Sequence, residues 1–136
     1  MKAIQVTEDL HAYLVSHSPP PSPVLPELAA ETQSLPMGGM QISPVQGALM
    51  HLLARLVGAR RIVEVGCFTG YSAICLATAL PRDGRLYTLD VSPEWTAVAR
   101  RYFAAAGLES RIDLRLAPAL DTLPALEQEL GASSVD

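Results

Sequence analysis

Positive charge is scarce in this sequence of 136 residues, and it is not clustered. The ten basic residues comprise one lysine, Lys2, and arginines that stand singly or in pairs, and the formal net charge is −4. A protein that binds the phosphate backbone of nucleic acids concentrates positive charge on one surface. We therefore expect no nucleic-acid partner.

Cysteine is also rare, since Cys67 and Cys75 are the only two. Their spacing suits neither a zinc site nor the disulfide scaffold of a small secreted protein, and we expect both to be inert apolar side chains. No apolar run reaches the ~18 residues that a membrane-spanning helix needs, and residues 1–9 lack the apolar stretch of a signal peptide. These absences predict a cytoplasmic protein without a membrane partner.

The sequence does contain regular helical and strand patterns. Helices are predicted over 7–17, 24–34, 44–57, 71–80, 93–106 and 119–130, and strands over 61–66, 85–90 and 111–117. The first helix ends at a proline cluster that begins with Pro19, because proline has no amide hydrogen to donate. Strands that alternate with helices of this length form βαβ units around a parallel sheet. The predicted fold class is therefore α/β, with three parallel strands behind N-terminal helices.

The helix over 44–57 has the clearest pattern. Ser43 is a good N-cap, and Pro44 suits the first helical position. Its apolar residues recur at 45, 48, 49, 52, 53, 56 and 57. This spacing predicts one buried face, with His51 on the polar side of the helix.

Two glycines stand between the first strand and the following helix. In the run Glu64-Val65-Gly66-Cys67-Phe68-Thr69-Gly70-Tyr71-Ser72, glycine lets a ligand approach the backbone, and the helix amides face that ligand. Asp90 ends the second strand, where an acid typically accepts hydrogen bonds from ribose hydroxyls. Ligands of open α/β sheets bind at these carboxyl ends. We infer a nucleoside-binding pocket, although Asp90 could instead cap the next helix.

The identity of the nucleoside follows from what surrounds the glycines. A dinucleotide motif needs glycine where Phe68 and Tyr71 stand, and no Gly-Lys-Ser/Thr run exists for a Walker loop. The carboxylate of Glu64 would repel a phosphate but could pair with an ammonium group. S-adenosylmethionine has an adenosine and an ammonium group and no phosphate, so it fits this turn best.

The sequence resembles the cation-dependent O-methyltransferase family, which includes the caffeoyl-CoA and catechol O-methyltransferases. The resemblance rests on Met40-Gln41-Ile42-Ser43-Pro44-Val45-Gln46-Gly47, on the Glu64–Ser72 run, and on Leu89-Asp90. It implies an incomplete Rossmann-like methyltransferase fold with two parts. These are an N-terminal helical segment, 1–35, and the first part of the S-adenosylmethionine-binding domain, 36–136, which ends before a fourth strand.

The resemblance also implies roles for individual residues. Met40 and the backbone of Ile42 would line the donor site. Glu64 and the backbone of Gly66 and Cys67 would hold the methionine part of the donor, with Ser72 near its carboxylate. Asp90 would bind the ribose and Val91 would flank the adenine. Pro118 and Ala119 would close over the adenine, although Ala117 stands where the family often has glycine.

In this family a divalent cation such as Mg²⁺ is held by residues on later elements. The resemblance therefore implies no catalytic and no metal-binding residue in these 136 residues, and weak activity of the chain alone. The function expected is O-methyl transfer to a small catechol-like or phenolic acceptor by the complete protein, as a homodimer.

Two alternatives remain open at the level of sequence. The chain could be a module that binds the donor, or only associates with itself through an uncovered first strand, without catalysis. An NAD-linked oxidoreductase is the second alternative, and Phe68 argues against it.

Overall fold

The computed structural model describes residues 5–18 and 20–136. Residues 1–4 of the predicted N-terminal segment and Pro19 of the proline cluster lie outside these described residues. The elements follow the predicted order. They are α1 Glu8–His17, α2 Leu25–Gln33, a 3-10 turn Gly38–Met40, α3 Pro44–Leu56, β1 Arg61–Val65, α4 Tyr71–Ala79, β2 Arg85–Asp90, α5 Pro93–Ala105, β3 Ile112–Leu116 and α6 Ala119–Leu130.

The three strands form one parallel sheet in the order β1-β2-β3, which confirms the predicted α/β fold. Ile62 pairs with Leu86 across β1 and β2, and Leu86 pairs with Ile112 across β2 and β3. Right-handed crossovers place α4 and α5 on one face of the sheet. Helix α6 covers the other face, where Leu126 of the helix and Val63 of β1 line the same groove. All three strands therefore point their carboxyl ends toward one edge.

The main core lies between the sheet and the helices on the α4 side. Helix α2 contributes Leu25 and Leu28, which are fully buried together with Ile74 of α4. As predicted, the thiols of Cys67 and Cys75 are free and buried. Burial raises the pKa of each thiol to about 12, so both stay protonated and unreactive.

The prediction about the buried face of α3 is wrong. Leu49 and Leu52 are about half exposed, at 53% and 52%, and Leu56 is 71% exposed. The helix packs on α4 through small residues instead, since a Cβ added at Gly47 would lie 2.8 Å from Cys75 Sγ. Small side chains let two helices approach closely. This contact with α4 determines which face of α3 is buried.

The expectation that His51 faces solvent is wrong for the same reason. His51 Nδ1 lies 3.1 Å from the carbonyl oxygen of Cys75 and 3.3 Å from Thr78 Oγ1, and both partners belong to α4. The imidazole therefore lies on the packed face of α3 with Gly47, and the leucines point the other way.

Candidate functional site

The β1–α4 turn, residues 66–70, stands at the carboxyl ends of β1 and β2. The backbone N–H of Gly66 donates to the carbonyl of Leu89 at 2.8 Å, which carries the sheet pairing one residue past β1. Gly66 and Gly70 have φ of +92° and +93°, a region that favours glycine. Phe68 also has a positive φ, +49°. The turn is therefore tightly wound and depends on its two glycines.

Asp90 ties this turn to the end of β2. Its Oδ2 accepts hydrogen bonds from the backbone N–H groups of Cys67 and Phe68, both at 2.8 Å. Its Oδ1 accepts from the N–H groups of Val91 and Ser92 at 2.7 and 2.9 Å. A carboxylate has about four acceptor sites, so a ribose hydroxyl that binds Asp90 must share or replace one of these bonds.

Asp90 does not cap the next helix, which was the alternative role considered for it. The N-cap of α5 is Ser92, whose hydroxyl accepts from the N–H of Trp95 at 3.3 Å. The carboxylate of Asp90 thus serves the turn rather than the helix.

Glu64 belongs to β1 and pairs with Thr88 of β2 in the parallel sheet. The hydroxyl of Thr88 donates to Glu64 Oε2 at 2.6 Å. Burial raises the pKa of Glu64 to about 6, and the negative charge of Asp90 also raises it. Interactions with Ser72 and Thr88 lower the pKa but do not outweigh burial. Glu64 is therefore a carboxyl group that changes its charge just below neutral pH.

A cleft opens in front of the turn and has two lobes that share Met40, Gly66 and Phe68. The large lobe has a volume of about 410 Å³ and reaches past Asp90 to Val91 and the start of α6. The small lobe, about 100 Å³, extends from the turn toward the start of α4. The cleft is thus long and divided, as an elongated ligand with two unlike ends would require.

Eight of the ten residues implied by the resemblance line this cleft. In the large lobe they are Met40, Gly66, Asp90, Val91 and Ala119. Ile42, Cys67 and Ser72 line the small lobe, with Met40 and Gly66 again. Glu64 and Pro118 are not among the lining residues; Glu64 accepts a hydrogen bond from Thr88, and Pro118 is the N-cap of α6.

Two aromatic residues of the large lobe were not assigned from the sequence. Phe68 and Trp95 meet edge to face, with ring centroids 4.9 Å apart, and both line the large lobe. Trp95 is the only tryptophan of the chain. The sequence does contain a signal for Trp95, because it lies in the first turn of the helix that follows Asp90. Residues at that place lie at the carboxyl edge of the sheet.

The β1–α4 turn is supported from behind by α2. The hydroxyl of Thr32 donates to Thr69 Oγ1 at 2.9 Å, and both side chains are fully buried. This hydrogen bond joins the predicted N-terminal segment to the turn.

Residues 5–18 and 20–136 also bear on the question of a metal site. In that range, no group of three or more His, Cys, Asp or Glu residues lies together so as to hold a metal ion. The divalent cation that the resemblance implies for the complete enzyme stays a prediction, with its ligands expected on later elements.

Known proteins resemble this chain in sequence and in fold. Residues 15–136 match the family model described as O-methyltransferase. The chain belongs to this family. The catechol O-methyltransferase of Niastella koreensis is 45% identical over 112 residues, a match that covers 80% of this chain and 50% of the relative. The mouse catechol O-methyltransferase domain-containing protein 1 is 42% identical, over 86% of this chain and 45% of its own length.

Solved structures of the O-methyltransferase family have the same fold. TomG from Streptomyces achromogenes, solved in complex with SAM, superposes with a TM-score of 0.78 at 39% identity and covers 88% of this chain. PaMTH1 from Podospora anserina, solved with bound SAH, gives 0.82 at 29% identity over 93% of this chain. The matches cover 53% and 57% of those two chains. The chain thus spans about half the length of the relatives it matches.

Proposed function

We propose that this O-methyltransferase family chain binds S-adenosylmethionine in the two-lobed cleft. The observation that carries the proposal is the β1–α4 turn held by Asp90, with a lobe on either side of Gly66. A Cβ placed on Gly66 would have no atom within 4 Å, so the backbone there is open to a ligand. TomG was solved in complex with SAM and PaMTH1 with bound SAH, which supports the same ligand.

The two lobes differ in the chemistry they offer. The large lobe is lined by the aromatic residues Phe68 and Trp95 and by Asp90, which suits an adenosine with ribose hydroxyls. The small lobe is lined by Ser72 at the start of α4, and Ser72 is one of the groups that lower the pKa of Glu64. Above pH 6 an ionised Glu64 would pair with the ammonium group of the methionine part.

We further propose that the chain supplies the donor-binding part of an enzyme that methylates small hydroxylated acceptors, catechol-like or phenolic. Relatives named catechol and caffeoyl-CoA O-methyltransferases support this acceptor class. When bound, S-adenosylmethionine would supply a sulfonium methyl group for in-line displacement by an acceptor oxygen, with S-adenosylhomocysteine as the leaving group. The residues of the cleft contribute by holding the donor in a fixed place, and positioning of this kind lowers the barrier of a displacement.

The partners expected from the sequence remain part of this proposal. The acceptor is a small molecule, and no nucleic acid is expected as a partner. The complete enzyme is expected to be cytoplasmic and to form a homodimer. None of the helices that the structure describes has the length and apolar character needed to cross a bilayer. Light scattering on the complete enzyme would test the dimer.

Trp95 provides a direct test of donor binding. Its ring lies in the large lobe, so titration with S-adenosylhomocysteine should change the tryptophan fluorescence and reach saturation. Asp90→Asn should weaken binding at least about tenfold, because the turn loses its carboxylate tie. Asp113→Asn is the matched control, since Asp113 pairs with Arg115 away from the cleft, and it should bind normally. A titration without any change, or equal binding of NADH, would contradict the proposal.

A second measurement distinguishes an enzyme from a module that binds the donor without catalysis. Methyl transfer to a catechol is measured with and without Mg²⁺, with the chain alone and with a complete relative as positive control. The chain alone should bind the donor with at most weak transfer under both hypotheses, whereas transfer by the chain joined to the unmatched half of the relative would favour the enzyme over the module.

A further inference from the structure

The side-chain amide of Gln41 is the starting point of this inference. Its Oε1 atom is buried, and no group among the residues that the structure describes donates a hydrogen bond to it. Buried polar atoms normally have a partner, so each exception calls for a physical reason. In the same described residues Arg111 Nε shares this condition, but the guanidinium of Arg111 already donates to the carbonyls of Leu80 and Pro81. The oxygen of Gln41 is thus an acceptor that is still to be used.

Gln41 lines the small lobe of the cleft, between Met40 and Ile42 in the chain. This lobe has a volume of about 100 Å³ and meets the large lobe at Gly66. A donor with its adenosine in the large lobe would place its methionine part here. Gln41 therefore lies beside the space that the methionine part would fill.

The backbone of Gln41 is held on both sides. Its N–H donates to the carbonyl of Gly38 at 3.2 Å, which closes the 3-10 turn. Gly38 is packed against α2, since an added Cβ would lie 2.5 Å from the carbonyl oxygen of Thr32. Two residues after Gln41, the hydroxyl of Ser43 caps α3. The main chain is therefore fixed before a ligand arrives, and the side-chain amide needs little rearrangement to bind one.

The chemistry of an amide oxygen restricts what it can bind. Such an oxygen accepts hydrogen bonds and donates none, so it attracts an N–H group and disfavours a carboxylate. The hydroxyl of Thr69, which also lines the small lobe, already accepts from Thr32 at 2.9 Å. In the methionine part of S-adenosylmethionine, the ammonium group is the only hydrogen-bond donor. Gln41 Oε1 therefore matches the ammonium group and not the carboxylate beside it.

We propose that Gln41 Oε1 accepts a hydrogen bond from the ammonium group of S-adenosylmethionine. The inference rests on the proposed donor and adds to its site a residue that the resemblance did not assign. With Glu64 ionised, the ammonium group has two acceptors, and Gln41 is the one whose charge does not change with pH. The amide thus retains the methionine part even where Glu64 is protonated.

Gln41→Met tests the proposal, because methionine is also unbranched and lacks the amide oxygen. Binding of S-adenosylhomocysteine, measured by titration calorimetry, should weaken about tenfold. Methylthioadenosine has the adenosine and the sulfur but no amino-acid end, so it should bind the variant and the original chain equally. The deamino analogue of S-adenosylhomocysteine keeps the carboxylate and lacks the amino group, and it should also bind both chains equally.

The matched control is Gln128→Met, at an exposed glutamine of α6 that lines neither lobe. This variant should bind all three ligands as the original chain does. The pH profile provides a second control. Because Glu64 is intact in Gln41→Met, binding of S-adenosylhomocysteine should still strengthen as the pH rises through about 6, at a lower affinity throughout.

Three outcomes for Gln41→Met would overturn the proposal. The first is unchanged binding of S-adenosylhomocysteine, and the second is an equal loss for all three ligands, which would indicate a general distortion of the cleft. The third is an equal loss for S-adenosylhomocysteine and its deamino analogue, which would assign the amide to the carboxylate. An original chain that binds neither S-adenosylhomocysteine nor methylthioadenosine would instead refute the proposed donor, and the role of Gln41 with it.

Discussion

The carboxyl edge of the sheet and the outer side of α3 are stabilised by opposite kinds of contact. At the carboxyl edge, the carboxylate of Asp90 accepts four backbone N–H groups, and a buried threonine pair joins the turn to α2. On the side of α3 that faces away from α4, leucines stand half exposed or more. The first region is locally complete and presents a shaped cleft, whereas the second is apolar and open. Substitutions should therefore affect folding and donor binding in the first region, and should cost little stability in the second.

The largest effect is expected from Gly70→Ala. Gly70 has a φ of +93°, and an added Cβ would lie 2.7 Å from Phe103 Cε1 and 3.1 Å from Ala99 Cβ. Backbone strain and overpacking together should lower the free energy of unfolding by about 3 kcal/mol. Urea denaturation measures this loss.

Gly66→Ala is the matched variant at the same turn. Its φ is similar, +92°, but the added Cβ meets no atom within 4 Å. Only the strain remains, so the loss should be about 1–2 kcal/mol, while S-adenosylhomocysteine binding falls because the methyl group enters the cleft. Equal losses of stability for the two variants would show that packing against α5 does not matter here.

Asp90→Asn should have the next largest effect on stability. The amide keeps one acceptor oxygen, so about half of the backbone bonds are lost, at a cost of about 2–3 kcal/mol for bonds to a charged group. Asp113→Asn disrupts an ion pair near the surface and should cost at most about 1 kcal/mol. Thermal unfolding of both variants tests this ranking, and a reversed order would contradict the structural role given to Asp90.

Glu64 should make stability and donor binding respond to pH in opposite directions. Burial raises its pKa from 4.5 to about 6, so the folded chain holds a proton that the unfolded chain releases. This contribution is complete below pH 4.5 and is lost as the pH rises through about 6; its size is about 2 kcal/mol. Binding of S-adenosylhomocysteine should strengthen over the same range, because the ionised carboxylate pairs with the ammonium group.

Glu64→Gln should remove both pH dependences. The amide oxygen can still accept from Thr88, so the variant should match the stability of the original chain at low pH and exceed it at neutral pH. Calorimetry between pH 4 and pH 7 provides both readouts. A variant whose binding still rises with pH would place the titrating group elsewhere.

The smallest effect is expected from Leu56→Gln on the outer side of α3. Leu56 is 71% exposed, and such substitutions usually change the free energy of unfolding within about 0.5 kcal/mol. Ala54→Gln on the opposite side of the helix faces α4 and should cost about 1–3 kcal/mol through overpacking. Similar losses from both would mean that α3 is covered on both sides in the chain alone.

Local signals explain why so much of the fold could be predicted from the sequence. Ser43 and Pro44 define the start of α3, and the hydroxyl of Ser43 does accept from the N–H of Gln46 at 3.2 Å. The glycines and Asp90 likewise mark the carboxyl edge of the sheet, whereas Met40, Ile42, Ser72, Val91 and Ala119 were named only through the resemblance to the methyltransferase family. These signals depend on neighbours in the chain and need no knowledge of packing.

The orientation of α3 could not be predicted in this way. Periodicity shows that a side of a helix is apolar, but Gly47 contributes nothing to it and yet allows the closest approach to α4. The roles of Phe68 and Trp95 were missed for a related reason. Their rings meet only after the turn and the start of α5 come together in space.

The hydrogen bond from Thr32 to Thr69 couples the early helices to ligand recognition. Any version of this chain that begins after α2 would leave the hydroxyl of Thr69 without its partner and remove two wholly enclosed leucines. Shortening the protein from its amino-terminal side should thus weaken donor binding, even though none of the deleted residues that the structure describes lines the cleft.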